Sequence, residues 1–394
     1  MADAKTILFV ALPYSVHTAR WVAQLHAQGY ELHLFPSIVT PVHPKLTNIT
    51  VHYGWHKQHL TDTCPHQANI TFWLERLISI VLRRCANNLL LAWRGRQLAT
   101  LIQHLQPDII HAMEIQAAGY LTLNAKKHLT DFPSWIMTIW GSDIYWFGRF
   151  AAHKEKIRQV LSQCDYFFCE CQRDKQLATA FGFNKTVLPI LPATGGFDLA
   201  SLAHQRHAPP PSKRNVIALK GYQHWVGRAL VALQALELCL DELQDYQVII
   251  YSATPNVIKA AHLFTHKTGI DTKIIPNNSP HADILAVHET ARISIALSLS
   301  DGVSNAMLEA MVMGSFPIQT CTSCADEWLE HGVSGAIVPV DDPETVAMWI
   351  RKALTDDELV DCAAAINWQT ALDRLDSTSL TQQAIDIYKT IASQ

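Results

Sequence analysis

Two doubly wound α/β domains are the fold that this 394-residue sequence predicts, and three observations predict them. The chain is longer than one ordinary hydrophobic core supports. In both halves short runs rich in Val, Ile, Leu and Phe alternate with longer segments of helical periodicity, the pattern of parallel sheets covered by helices. Between the halves lies a polar, proline-rich segment, His204-Gln205-Arg206-His207-Ala208-Pro209-Pro210-Pro211-Ser212-Lys213, which reads as a linker.

The elements follow in order. Residues 7–12 form strand one; the run is too short for a signal-peptide h-region and lacks a cleavage site. A turn, Pro13-Tyr14-Ser15-Val16-His17-Thr18, leads into a helix over 19–28 with Trp21, Val22 and Leu25 on its apolar stripe and Gly29 as the stop. Thr18 is positioned to cap it. Further strands are expected at 31–35, 109–111, 135–138 and 166–169, and residues 188–192 lead toward the linker. The second series has strands at 216–219, 247–251, 273–275, 293–297 and 316–318, and a helix over 379–391 closes the chain. The expected organisation is a first Rossmann-like domain over 1–204, a linker over 205–214, a second over 215–375, and a C-terminal helix within 376–394 packing back on the first. The two sheets would face a cleft, with ligands at the C-terminal ends of the strands.

Composition excludes several classes of function. With 49% hydrophobic and 17% charged residues the chain is a packed globular protein rather than a disordered one. A net charge of −4 gives no field to gather nucleic acid. Nine cysteines, an odd number at low density, fit reduced thiols and a cytoplasmic location. No run reaches transmembrane length. The first βα turn has no G-x-G-x-x-G, which disfavours a dinucleotide coenzyme, and no G-x-x-x-x-G-K-[ST] loop occurs.

One helix carries the sharpest chemical signal. After the strand 293–297, the turn Asp301-Gly302-Val303-Ser304 opens a helix capped by Ser304 or Asn305 and closed by Gly314, before Phe316-Pro317-Ile318 begins the next strand. Within it Glu309 stands alone among Ala306, Met307, Leu308, Ala310, Met311 and Val312. A helix apolar on every side is buried, and a buried carboxylate costs several kcal/mol unless something pairs with it. No basic residue in the helix can do so. The partner is a remote residue, such as an arginine or a neighbouring loop, or it is a ligand.

Asp301-x7-Glu309, followed by Ala-Met, Gly314 and Pro317-Ile318, resembles the E-x7-E signature of retaining glycosyltransferases of family 4, which have the GT-B fold. Other segments share the resemblance. Ser15-Val16-His17-Thr18-Ala19-Arg20-Trp21-Val22 is similar to the acceptor-domain opening, Pro107-Asp108-Ile109-Ile110-His111-Ala112-Met113-Glu114 to the strand ending in H-A-H-E, and Trp140-Gly141-Ser142-Asp143-Ile144 to the W-G-S-D loop. Two positions depart from the pattern: Asp301 replaces the first Glu, and Met113 replaces the second His, a donor-sugar contact in relatives.

What the resemblance implies is a retaining, metal-independent transfer of a sugar from a nucleotide-sugar, by default a UDP-sugar, to a glycan, lipid-linked or small-molecule acceptor, in polysaccharide biosynthesis or a related process. No cofactor is implied. His111, Asp301 and Glu309 would be catalytic, with Glu309 accepting from the ribose diol. Asp301 and the amides of Gly302, Val303, Ser304 and Asn305 would hold the sugar and β-phosphate, and Lys220 and Arg228 the diphosphate, whose developing charge basic groups and helix N-termini stabilise. His17, Glu114 and Asp143 would lie on the acceptor side. Blander readings stand beside these: His17 as a turn residue, His111 as a satisfied strand-end histidine, Lys220 and Arg228 as a solvated basic pair. Two rival functions also stand, a GT-B sugar-nucleotide epimerase and a non-catalytic nucleotide-sugar-binding protein.

Two further patterns remain. Cys169-Glu170-Cys171 and Cys321-Thr322-Ser323-Cys324 have no histidine at finger spacing, so no metal site is expected. Residues 72–97 mix Trp73, Leu77, Ile80, Val81, Leu89, Leu90 and Trp93 with Arg76, Arg83, Arg84, Arg94 and Arg96 against one acid, Glu75. Such a segment either packs on its sheet with arginines outward or lies on anionic lipid at the inner face of a membrane.

Overall fold

The computed structural model describes residues 4–205 and 209–393. The chain forms two compact units, Met1–Gly196 together with Thr378–Gln394, and Phe197–Ser377. Each is built on one mainly parallel sheet.

The first unit carries β1 (Thr6–Ala11), β2 (Glu31–Pro36), β3 (Ile49–His52), β4 (Lys57–Leu60), β5 (Ile109–Met113), β6 (Ser134–Thr138), β7 (Tyr166–Phe168) and β8 (Thr186–Val187). Their order is β4-β3-β2-β1-β5-β6-β7-β8, and only the β3–β4 pair is antiparallel. β1 shows why the sequence reads as a continuous apolar run: Ile7, Phe9 and Ala11 enter the core on one face, Leu8 and Val10 the core on the other. The helix after β1 is Val16–Ala23, earlier than the expected 19–28, because Ser15 rather than Thr18 is its N-cap, its hydroxyl accepting from the His17 amide at 3.2 Å. Past Ala23 the bonds tighten, Gln24 and Leu25 donating to Trp21 and Val22, and Ala27 turns to φ 58°.

The final helix, Ser377–Ala392, completes this unit. Leu380, Ala384, Ile385, Ile387, Tyr388 and Ile391 share the core of Ile7, Phe9 and Trp21. Its anchor is polar: Trp21 Nε1 donates to the Tyr388 hydroxyl at 2.7 Å, and that hydroxyl lies 2.5 Å from His111 Nδ1. The basic segment 72–97 proves to be two helices, Ile70–Cys85 and Asn87–Leu105, broken at Ala86.

The second unit carries β9 (Val216–Lys220), β10 (Gln247–Tyr251), β11 (Thr272–Ile274), β12 (Ala291–Ala296), β13 (Phe316–Thr320) and β14 (Ala336–Val338), all parallel in the order β11-β10-β9-β12-β13-β14. The chain enters this unit at Phe197 rather than through the proline-rich segment 205–214, of which 206–208 lie outside the described residues. The described part of that segment is anchored inside the unit: Pro211 is buried, the Ser212 hydroxyl donates to Asp361 at 2.7 Å, and Arg214 donates to the carbonyls of Ala291 and Met313 at 3.2 Å. Entry and exit run side by side, with the Phe197 amide donating to Leu375 and the Ser377 amide to Phe197, both at 2.9 Å.

Tyr388→Phe keeps the ring in its core but strips partners from two buried groups, Trp21 Nε1 and His111 Nδ1. Leaving buried donors and acceptors unpaired costs about 2 kcal/mol, and chemical denaturation of the variant will show a loss of that order at an unchanged denaturant slope.

Candidate functional site

In the second unit the strand order reverses between β9 and β12, and the loops leaving these neighbours form the place where an open α/β sheet binds its ligand. They are laced together by backbone: Gly227 bridges Ser298, the Leu299 amide donates to Val226 at 2.8 Å and the Arg228 amide to Leu297 at 3.0 Å. Glycine is required at 227, where a Cβ would meet the Tyr222 carbonyl oxygen at 2.3 Å. Lys220 and Arg228 stand one at each end of the first loop, whose residues 226–228 pair with 297–299, just before Asp301. Lys220 Nζ stands 4.8 Å above the Tyr222 ring. Arg228 is fixed by Asp341, 2.9 Å from its Nε, and by the Gly227 carbonyl.

The second loop is fastened from its other side. Thr320 and Thr322 hydroxyls donate to the Ser298 carbonyl, and the Asp301 amide donates to Thr322 at 3.3 Å. Asp301 Oδ1 in turn accepts from the Gly302 amide at 3.0 Å. Val303 and Ser304 are buried, and the helix Asn305–Met313 begins with Ser304 as an N-cap whose side chain makes no capping bond. Its first amides are therefore presented with the positive end of the helix dipole. Gly314, at φ 81°, ends the helix as expected.

Glu309 lies one turn into this helix, 7% exposed. Its partners are two histidines of the helix His281–Thr290: His281 Nε2 donates to Oε1 at 2.6 Å, and His288 Nε2 stands 3.7 Å from Oε2. Burial pushes the carboxyl up, but the hydrogen bond from His281 and the contact with His288 outweigh it and hold it down at about 2. His288 is held in turn, its Nδ1 2.9 Å from Ser294 Oγ, which lies 2.6 Å from Ser315 Oγ. Neither histidine was singled out in the sequence. Their seven-residue spacing, which places both on one helix face, is the signal that could have found them.

In the first unit the order reverses between β1 and β5. His17 opens the helix after β1, its ring 5.3 Å from that of Trp140. Glu114 follows β5 at φ 82°, an uncommon conformation for a residue with a side chain. Its carboxylate accepts from the amides of Gln116 and Ala117 at 2.6 and 2.7 Å, capping the short π-helix Ile115–Gly119. Asp143, after β6, accepts from the amides of Ile115 and Trp140 at 2.7 and 2.8 Å. The two carboxyls thus hold one backbone turn from opposite sides. Burial, reinforced for Glu114 by the charge of Asp143, pushes both upward.

His111 does not join this group. It is buried on β5, with Nδ1 against Tyr388 and Nε2 2.5 Å from Thr138 Oγ1. Tyr388 accepts from Trp21, so its single proton goes to Nδ1 and the imidazole is the neutral Nε2–H form. Burial lowers it to about 3. Both nitrogens of His111 are thus hydrogen-bonded within the first unit, as those of a satisfied strand-end histidine would be. Met113 is also buried, within the sheet core. The Cys169–Cys171 pair lies in the first unit and the Cys321–Cys324 pair in the second.

Comparison with known proteins follows this geometry. Residues 214–356 match the model described as Glycosyl transferases group 1, and residues 65–170 that described as Glycosyl transferase 4-like. No curated protein matches the chain in sequence. Solved structures that share the fold include the following three. Sucrose-phosphate synthase of Thermosynechococcus elongatus has a TM-score of 0.70 at 12% identity, covering 99% of both chains. HepE of Anabaena in complex with UDP-glucose has 0.65 at 14%, covering 98% of this chain and 99% of its own. Trehalose 6-phosphate synthase of Burkholderia multivorans has 0.67 at 12%, covering 99% and 96%.

The pairing of Glu309 has a pH signature. A carboxyl held at about 2, against an ordinary 4.5, contributes stability that is complete above pH 4.5 and is lost as pH falls toward 2. Glu309→Gln is expected to be less stable than wild type by on the order of 2 to 3 kcal/mol at neutral pH, the gap closing through that acid window. Urea titrations at a series of pH values check this, and a gap that ignores acidification would sink the pairing.

Proposed function

We propose that this GT-B glycosyltransferase transfers a sugar, with retention of anomeric configuration and without a metal, from a UDP-sugar bound by its second unit. The observation that carries the reading is the meeting of the β9 and β12 loops at the point where the strand order reverses, with an uncapped helix N-terminus and a buried carboxylate one turn behind it. The residue pattern Asp301-x7-Glu309 and the two glycosyltransferase matches support the same reading. UDP is favoured because HepE, similar in fold, was solved with UDP-glucose and with UDP and glucose.

In this reading the amides from Gly302 to Asn305 receive the β-phosphate and Lys220 balances the charge that grows as the diphosphate leaves. Arg228, tied to Asp341, shapes the loop and adds positive field. These groups supply the neutralisation that a cation would otherwise give. Glu309, ionised by its histidines, keeps lone pairs for a ribose diol. Asp301 orients the sugar. His17, Glu114 and Asp143 serve the acceptor, a glycan, a lipid-linked sugar or a small molecule, with the two carboxyls acting by holding the 114–117 turn in place. Attack on the donor's front face, with the leaving phosphate taking the acceptor proton, accounts for retention.

Calorimetry with UDP in the presence of a chelator tests the donor site. Wild type is expected to bind, Lys220→Ala on the order of tenfold more weakly, and Glu309→Ala not measurably. Equal binding by all three would remove the residue-level basis of the proposal. A product of inverted configuration, read from its anomeric proton coupling, would overturn retention alone.

A further inference from the structure

The helix Ile70–Cys85 is turned inside out relative to an ordinary surface helix. Its apolar residues Ile70, Trp73, Leu74, Leu77, Ile78 and Val81 recur at the spacing of a core-facing stripe, yet all six are exposed, Ile70 to 78% and Leu77 to 58%. Among its described residues it buries Phe72 and Glu75. Glu75, the helix's single acid, is neutralised by Arg94 at 2.5 Å and also accepts from the Gly54 amide. The helix is therefore cationic, through Arg76, Arg83 and Arg84, with an open apolar face about 16 Å long at 1.5 Å per residue.

Behind that face lies a cavity of about 590 Å³ within the first unit. Arg76 and Arg83 line it from the helix, Lys156 and His153 from across, and Gln116 and Ala117, whose amides Glu114 holds, form a further wall. Among the described residues Arg76, Arg83 and Lys156 make no ion pair. A cavity whose wall is part aliphatic and carries three such cations is matched to a phosphate group with an apolar tail.

We propose that the first unit docks on an anionic phospholipid bilayer, the stripe from Ile70 to Val81 entering the acyl boundary while the cavity takes a headgroup phosphate from the same leaflet. Apolar burial and charge act together, as they must for an interfacial helix to hold. A protein partner would need acidic groups opposite the arginines and a shape to match the stripe; a lipid surface supplies charge and hydrocarbon in that order of depth. Docking does not depend on the sugar-transfer reading, and it places a lipid-borne phosphate beside the 114–117 turn.

Sedimentation with vesicles of phosphatidylcholine, alone or mixed with phosphatidylglycerol, tests the proposal on the full chain. Wild type is expected to sediment with the mixed vesicles and to be released by salt. Leu77→Glu and the double variant Arg83→Glu/Lys156→Glu, both on accessible side chains, should each weaken binding by on the order of tenfold or more. UDP calorimetry on the same samples shows that the variants are folded, and a failure to bind UDP would count against the transfer reading while leaving vesicle binding intact. Equal sedimentation of wild type and Leu77→Glu, or no binding to either vesicle, overturns the proposal. Binding of soluble glycerol phosphate that needs Arg83 and Lys156, without vesicle binding, overturns it in favour of a soluble phosphate ligand.

Discussion

A carboxylate taken out of water must be met by something, and in the second unit the meeting of Glu309 with His281 and His288 fixes much else. The two histidines belong to the helix His281–Thr290, so that helix must lie against Asn305–Met313. His288 then reaches Ser294 on β12, and Ser294 reaches Ser315 at the entrance to β13. One buried charge thus ties two helices and two strands into a single polar seam through an otherwise apolar core. The same interaction that organises the unit holds the carboxyl ionised.

The first unit solves a similar problem with neutral groups. Trp21, Tyr388, His111 and Thr138 form a chain of donors and acceptors across the sheet. Here burial disfavours the charged form of the histidine, and both of its nitrogens are hydrogen-bonded. The contrast between Glu309 and His111 lies in their partners: two histidines keep the first ionised, and two hydroxyls accompany the neutral form of the second.

The buried parallel strands were legible because each is a near-continuous apolar run, and the helix around Glu309 because Ser304 and Gly314 punctuate it. That Glu309 needs a partner could be read from its neighbours; that the partners are histidines could not, since they lie 28 and 21 residues upstream on a separate helix. β3 and β4 escaped notice because they are short, mixed in polarity and partly exposed. The hydroxyl that pairs with His111 Nδ1 was not legible, since Tyr388 lies 277 residues away. The arginine-rich helix read either way from its sequence, since periodicity specifies an apolar face without saying what covers it.

The final helix adds an order of events to this arrangement. Residues from Leu380 to Ile391 belong to the core begun by Ile7, Phe9 and Trp21, while the whole of the second unit lies between them in the chain. During synthesis, emerging residues proceed from the N-terminus, so the second unit can complete its own core while the first still lacks one wall. Until Tyr388 has left the ribosome, Trp21 Nε1 and His111 Nδ1 have no hydroxyl to share. The part of the protein made first is therefore the part finished last.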